Sequence, residues 1–286
     1  MKRILIFYFT FFISIITIAQ DSLGYYKTIA KEKYLAENYV EAMQSYKKAV
    51  TIDANDYEAQ MGLADCKHKL DLFKPAIENY NIAEAINDKD AKLFFNRGAA
   101  LIFIEEYKKA IKDLNKCLEI DSEFNDAYYY LGYASASLNR YNEAIKYYTK
   151  AISFNPDYAA AYYNRGAAKA ELKKYEEGMS DFEIALKKDP QLENGKINLA
   201  LTKLGMKKYN EAISALTEII DEKGENLAKA FYYRAEANYE IKKKDLACED
   251  WVKAAKLGHQ QAGENANTFC GSNLNNKGKR AIEIVF

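Results

Sequence analysis

Residues Asn125 to Tyr158 read NDAYYYLGYASASLNRYNEAIKYYTKAISFNPDY, two short amphipathic segments that close on Asn155-Pro156. Shifting the frame by 34 residues in either direction finds the same pattern, so internal repetition decides the fold. Numbering each copy from 1 to 34, a small residue stands at position 8 in seven copies: Ala30, Ala64, Gly98, Gly132, Gly166, Ala200 and Ala235. Position 20 repeats the preference with Ala42, Ala76, Ala110, Ala144, Gly178, Ala212 and Ala247. Small residues at two fixed positions let paired helices approach closely. Position 17 is aromatic in six copies, Tyr39, Phe73, Tyr107, Tyr141, Tyr175 and Tyr209, and is expected to wedge between those helices; Lys244 departs.

The copies start near residues 23, 57, 91, 125, 159, 193 and 228, the last displaced by one because residues 221–226 lengthen the preceding loop. Their ends carry turn formers, Asp53, Asp121-Ser122, Asn155-Pro156 and Asp189-Pro190, where proline lacks the N–H that a continuing helix needs. With three prolines and 13 glycines in 286 residues, and no sustained alternation before the last residues, the class is all-α. Apolar residues make up 49% of the chain, enough for a continuous core, and 41 basic residues balance 41 acidic ones. That balance leaves no net field to draw nucleic acid or an anionic membrane.

Positions 8, 17 and 20, with Leu131-Gly132 and Asn155-Pro156, resemble the tetratricopeptide repeat (TPR) family over roughly residues 23–261. The resemblance implies an all-α, right-handed superhelical solenoid of about seven helix-turn-helix repeats. In the family the concave face, lined by first helices, binds an extended protein segment. Asn96, Asn164 and Asn198 at position 6 resemble the family's asparagine ladder, whose amides offer donor and acceptor to a peptide backbone. Thr28, Gly62, Tyr130 and Tyr233 interrupt it. Around those rungs Phe95, Tyr129, Tyr133, Tyr163, Tyr232 and Tyr239 either line the groove or pack against neighbouring helices. The family's clamp for a chaperone C-terminal carboxylate is not reproduced: Lys27 and Lys92 match it, whereas Lys31, Gly62 and Asn96 do not.

Arginine holds position 7 in three copies only, Arg97, Arg165 and Arg234, and the same copies alone carry aspartate at position 23: Asp113, Asp181 and Asp250. Covariation within one chain predicts three ion pairs across the hairpins. The role expected of them is structural.

Met1 to Ala19 has a basic start, an uncharged stretch rich in Ile and Phe, and small residues before Gln20, the pattern of a secretory signal peptide cleaved after Ala19. An uncleaved anchor is the alternative, but some 16 apolar residues fall short of the roughly 20 needed to span a bilayer. Cleavage leaves 39 basic against 41 acidic residues, without membrane insertion, in the periplasm or outside a bacterial cell. Gln260 to Cys270 is expected to cap the array, with Ala262, Ala266 and Phe269 inward and Glu264, Asn265 and Asn267 outward. Residues 271–286 form a polar tail ending in Ala281-Ile-Glu-Ile-Val-Phe286, which either folds back or is offered to a partner. Four cysteines allow three pairings. Cys66 and Cys117 suit the core, and Cys248 with Cys270, in an oxidising compartment, are expected to form a disulfide that pins the cap.

His68 and His259, the only histidines, belong to distant repeats, so no metal site or histidine-based triad has its partners at workable spacing. Glu105-Glu106 and Glu176-Glu177 read as solvated charge at helix turns, and the glycines form no phosphate loop. The function expected is therefore a non-enzymatic, cofactor-free scaffold of the cell envelope with a protein or peptide partner. A structural or oligomerising component using its outer face or ends is the alternative.

Overall fold

A computed structural model of the protein describes residues 22–192, 194–223 and 226–270. The expected signal peptide and tail lie outside the described residues. Among these residues there are fifteen helices and no strand. The chain divides into two compact units, one ending at Arg140 and the other beginning at Tyr141.

The first unit holds α1 (22–35), α2 (Tyr39–Ile52), α3 (Tyr57–Lys69), α4 (Phe73–Ile86), α5 (Ala91–Phe103), α6 (Tyr107–Ile120) and α7 (Asn125–Ser137). The second holds α8 (Tyr141–Phe154), α9 (Ala159–Glu171), α10 (Tyr175–Lys188), α11 (Gly195–Gly205), α12 (Tyr209–Glu222), α13 (Leu227–Glu240), α14 (Lys244–Lys256) and α15 (Gln260–Cys270). Within each unit consecutive helices pack together. The first helices of successive repeats also touch, α3 on α5 and α5 on α7, then α9 on α11 and α11 on α13, so each unit presents a continuous first-helix face.

The small residues at positions 8 and 20 are all buried, and they mark where the two helices of a repeat come closest. A Cβ added at Gly166 would stand 3.0 Å from the Gly178 carbonyl oxygen, and one at Gly178 would stand 2.9 Å from that of Gly166. Position 24 supplies the large buried side chains: Tyr80, Tyr148, Phe182, Leu114, Leu216 and Trp251 are at most 1% exposed, and Tyr46 is 6% exposed. The position-17 aromatics are only half-buried, because each opens its second helix at the rim, where Phe73, Tyr175 and Tyr209 meet position 13 of the next repeat. Phe73 stacks on Phe103 at 4.5 Å, and Tyr175 lies where a side chain on Gly205 would project.

Each hairpin turns through one backbone device. Glu37, Asp71, Glu105, Asn139, Lys173, Lys207 and Lys242, all at position 15, adopt left-handed φ values of 57° to 65°. The N–H after each returns to the carbonyl five residues earlier, as in Asn38 to Lys33 and Lys174 to Lys169, which closes a Schellman motif and satisfies the last helix carbonyls. Between repeats, Asp53, Asn87, Asp121, Asn155 and Asp189 accept the N–H two residues on through their Oδ1 atoms, so the chain turns without losing its polar partners. α11 begins at Gly195, two residues behind the 34-residue frame, after Asn194 takes a left-handed φ of 59°.

Three arginines tie adjacent repeats together. Arg97 donates through Nε and Nη2 to Asp113 at 2.6 and 2.9 Å and through Nη1 to Asn81 and Glu84 on α4. Arg165 donates likewise to Asp181 at 2.8 and 2.7 Å and to Thr149 on α8, and Arg234 to Asp250 at 2.8 and 2.9 Å and to Thr217 on α12. The pairs therefore span more than their own hairpins, because Nη1 reaches position 25 of the preceding repeat. Each guanidinium also lies 5.3 to 5.5 Å from the ring of the aromatic three residues before it, Phe94, Tyr162 or Phe231.

The C-terminal end is closed by α15. Ala262, Gly263, Ala266 and Cys270 are buried against Ala247, Trp251 and Ala254, and Cys270 forms a disulfide with Cys248. Phe269 is not on the inward face expected of it: it is 38% exposed and touches Trp251 and Tyr239 from the rim. Cys270 takes the inward place because it continues the i, i+4 series from Ala262 and Ala266. Asn265, expected outward, is half-buried and donates to Glu236 at 2.8 Å.

Two stability outcomes follow. Asp181, 3% exposed, pairs with both Arg165 and Lys169, so Asp181→Ala strands two charges. It is expected to cost about 3 to 5 kcal/mol by chemical denaturation, and an unchanged midpoint would refute a stabilising role. Reducing Cys248–Cys270, which closes a loop over a separation of 22 residues, is expected to lower stability by about 3 kcal/mol, read from denaturation curves with and without reductant.

Candidate functional site

The first unit carries a cleft on its first-helix face. It has a volume of about 470 Å³, with Asp65 and His68 from α3, Lys92, Phe95, Asn96 and Phe103 from α5, Tyr130 from α7 and Phe73 from α4 among its walls. A second cleft of about 340 Å³ adjoins it and shares Tyr34, Asp65 and Lys92. Asp65 and Lys92 thus stand in the middle of one groove crossing four repeats.

Asp65 is held from below. Its Oδ1 accepts from the buried Tyr80 hydroxyl at 2.7 Å and from Asn96 Nδ2 at 2.8 Å. Burial first, then the charge of Asp65, pushes the Tyr80 phenol far above its ordinary value, so Tyr80 remains a donor. Lys92 Nζ lies 3.6 Å from Oδ2, with 63% of its side chain exposed. The walls are aromatic. Phe73 and Phe103 stack at 4.5 Å within 3° of parallel, His68 meets both edge-on at 5.4 and 6.0 Å, and Phe95 meets Tyr130 at 5.3 Å and 87°. Burial holds the His68 imidazole below its ordinary 6.5, outweighing the opposing pull of Asp65, so its ring is uncharged at neutral pH.

The asparagines are half-buried and do more than face a groove. Asn96 reaches back to Asp65 on α3, and Asn198 donates to the Tyr163 hydroxyl on α9 at 2.7 Å, so both join successive first helices. Asn164 is half-buried on α9. The interruption at Gly62 has a steric cause: a Cβ there would stand 2.2 Å from Cζ of Tyr46. Tyr130 replaces an amide with a ring in the cleft wall.

The aromatic positions divide between surface and packing. Phe95 lines the cleft, Tyr129 makes an edge contact with Tyr130 at 5.6 Å, and Tyr133 is 40% exposed. Tyr163 packs on Phe182 at 5.6 Å. Tyr232 and Tyr239 belong to the cap. Tyr232 stacks on His259 at 4.2 Å, while Tyr239 contacts Trp251 and Phe269. Both are drawn there because α15 follows the last repeat and offers an aromatic rim in place of a further first helix. Asp65, His68, Phe73 and Phe103 were not singled out for the groove; an acid at position 9 beside the aromatic series was the signal for the first of them.

Among the described residues no cluster of His, Cys, Asp and Glu could hold a metal, and no helix is long and apolar enough to cross a membrane. Cys66 and Cys117 are free and buried, and burial pushes both thiols up to about 12. Models of the tetratricopeptide repeat match residues 91–124, 132–173 and 159–192. The chain is a tetratricopeptide repeat protein.

Solved structures resemble this TPR chain closely in fold. The MamA protein is 27% identical, with 60% of this chain and 94% of that one covered at a TM-score of 0.56. The C-terminal part of a TPR repeat-containing protein from Cytophaga hutchinsonii is 19% identical, with 83% and 98% covered at 0.67. YrrB, described as a TPR protein with an unusual peptide-binding site, is 21% identical, with 59% and 88% covered at 0.54. No curated protein matches the sequence. As a TPR array the chain is a protein-interaction scaffold.

The neutral His68 makes stability depend on pH. The unfolded chain takes up this proton near pH 6.5 while the native state resists it, so stability falls as pH drops through about 6.5. His259 is lowered too and acts in the same direction. Melting temperatures between pH 7.5 and 5.5 are expected to fall less steeply in His68→Gln than in the parent; parallel profiles would count against a buried neutral His68.

Proposed function

We propose that this TPR protein is an exported scaffold of the cell envelope that holds an extended segment of a partner protein on its concave, first-helix face. The observation that carries the reading is the groove centred on Asp65 and Asn96. It joins aromatic walls to fixed polar groups, the combination that gives a peptide site both area and register. Asn96 spends one amide hydrogen on Asp65, which sets its orientation and leaves its amide oxygen for a backbone N–H. Export is supported by the sequence of residues 1–19 and by the Cys248–Cys270 disulfide, a bond that persists in oxidising compartments. The likeness to YrrB concerns the fold, and peptide binding there is consistent with such a use of it.

A second reading, docking through the outer face, rests on one feature. A groove of about 860 Å³ lined from α4, α5 and α6 sets Ile77, Leu101 and Ile104 beside both cations, Lys74 and Lys112, and acids, Glu84 and Glu119.

Selection of a random twelve-residue display library on the purified chain separates the two. Selected peptides are expected to bind at least about tenfold more weakly to a still-folded Asn96→Ala/Asn164→Ala/Asn198→Ala variant, the loss of one to two peptide hydrogen bonds. Equal affinity for both proteins moves the site to the outer face or the ends.

A further inference from the structure

Asp65 is unusual among the polar groups of the groove because one of its oxygens is spoken for and the other is not. Oδ1 takes both hydrogen bonds, from Tyr80 and Asn96. Among the described residues none donates to Oδ2, and Lys92 approaches it only to 3.6 Å. The carboxylate side chain is 13% exposed, so bulk water screens it weakly, and it faces a cleft walled largely by rings. Lys92 balances it from a largely solvated position and is free to swing out. Lys69 and Asp71 also line the cleft and offset each other in charge, leaving Asp65 as the feature that selects.

A largely shielded carboxylate oxygen with open lone pairs calls for a donor, and flat aromatic walls call for an apolar stem or a planar cation. An arginine side chain supplies all of these. Its guanidinium offers a planar fork of donors and stacks on rings, and its methylenes cover apolar surface. The stacked Phe73–Phe103 pair, the uncharged His68 and the Phe95–Tyr130 pair provide faces and edges around the same space.

Resting on the groove reading above, we propose that the cleft is a specificity pocket for a basic residue, arginine ahead of lysine, carried by an extended partner segment, with Asp65 Oδ2 as its acceptor and Lys92 as the internal cation it displaces. The neighbouring cleft, with Leu35, Met61 and Tyr57 among its walls, takes an apolar residue of the same segment. The partner is thus a segment with a basic residue beside an apolar one.

The test uses the twelve-residue peptides selected on the parent chain. They are expected to share an arginine or lysine at a fixed distance from an apolar residue. Replacing that cation with alanine, or Asp65 with asparagine, is expected to weaken binding by more than about tenfold, and the two changes together by little more than either alone. Asp65→Asn keeps an oxygen for the Tyr80 hydroxyl, and its melting temperature checks that the groove survives. Lys92→Ala removes the competitor and is expected to tighten binding about threefold or more at low salt, an advantage that shrinks as salt rises. Selected peptides that need the asparagines but carry no shared cation, or a Lys92→Ala variant that binds no better, overturn the arginine pocket and leave the groove standing. Peptides indifferent both to Asp65 and to the asparagine triple, or an empty selection, overturn both.

Discussion

The close approach of the two helices in each repeat, at positions 8 and 20, is the constraint on which the rest of the structure depends. At Gly166 and Gly178 the backbones are so near that an added Cβ on either would press on a carbonyl oxygen of the other. Packing of this kind forfeits contact energy if the helices part and creates strain if a side chain is inserted, so it fixes their separation from both sides. With that separation fixed, one turn geometry closes every hairpin. The residue at position 24 then fills the space beside the contact, as Leu114 does against Gly98 and Phe182 against Gly166.

Where the physics demands the same residue type in each copy, the sequence made the structure readable. Alanine and glycine at positions 8 and 20 could be replaced by nothing larger, and an arginine at position 7 cannot be buried without its aspartate at 23. Both features repeat with their residue types intact. Position 24 was harder to see because the space tolerates Tyr, Leu, Phe or Trp, so the deepest side chains vary while the shallower aromatic at position 17 stays uniform. The turns were harder still. A left-handed residue costs a non-glycine roughly 1 to 2 kcal/mol, yet Glu, Asp, Asn and Lys stand there, and two backbone hydrogen bonds per turn offset the cost without leaving a glycine as a sign.

The groove was legible in part. Position 6 identified Asn96, Asn164 and Asn198, but nothing in a repeat frame says that such an amide turns back to the preceding repeat, as Asn96 does to Asp65. Asp65, Phe73, Phe103 and Tyr130 come from three repeats at four different positions, so no single copy displays their cluster. Tyr232 and Tyr239 show the opposite limit. Their positions are those of a groove, but a last repeat has a cap beside it, and the rings follow the apolar surface that is nearest.

Packing and recognition compete for the same first-helix positions, and this competition decides where along the array a ligand can be read. At Gly62 the competition is won by packing, because the Tyr46 ring of the preceding repeat occupies the volume that an asparagine would need. At Gly205 the Tyr175 ring does the same to position 13. At Phe103 position 13 instead projects and is 59% exposed, stacked on a Phe73 that leaves one face of the pair open. The interruption at Gly62 is therefore the outcome of fitting a large position-24 ring against the next first helix. What specificity the first unit has concentrates where such rings frame an open cleft instead of filling it, as Phe73 and Tyr80 do around Asp65.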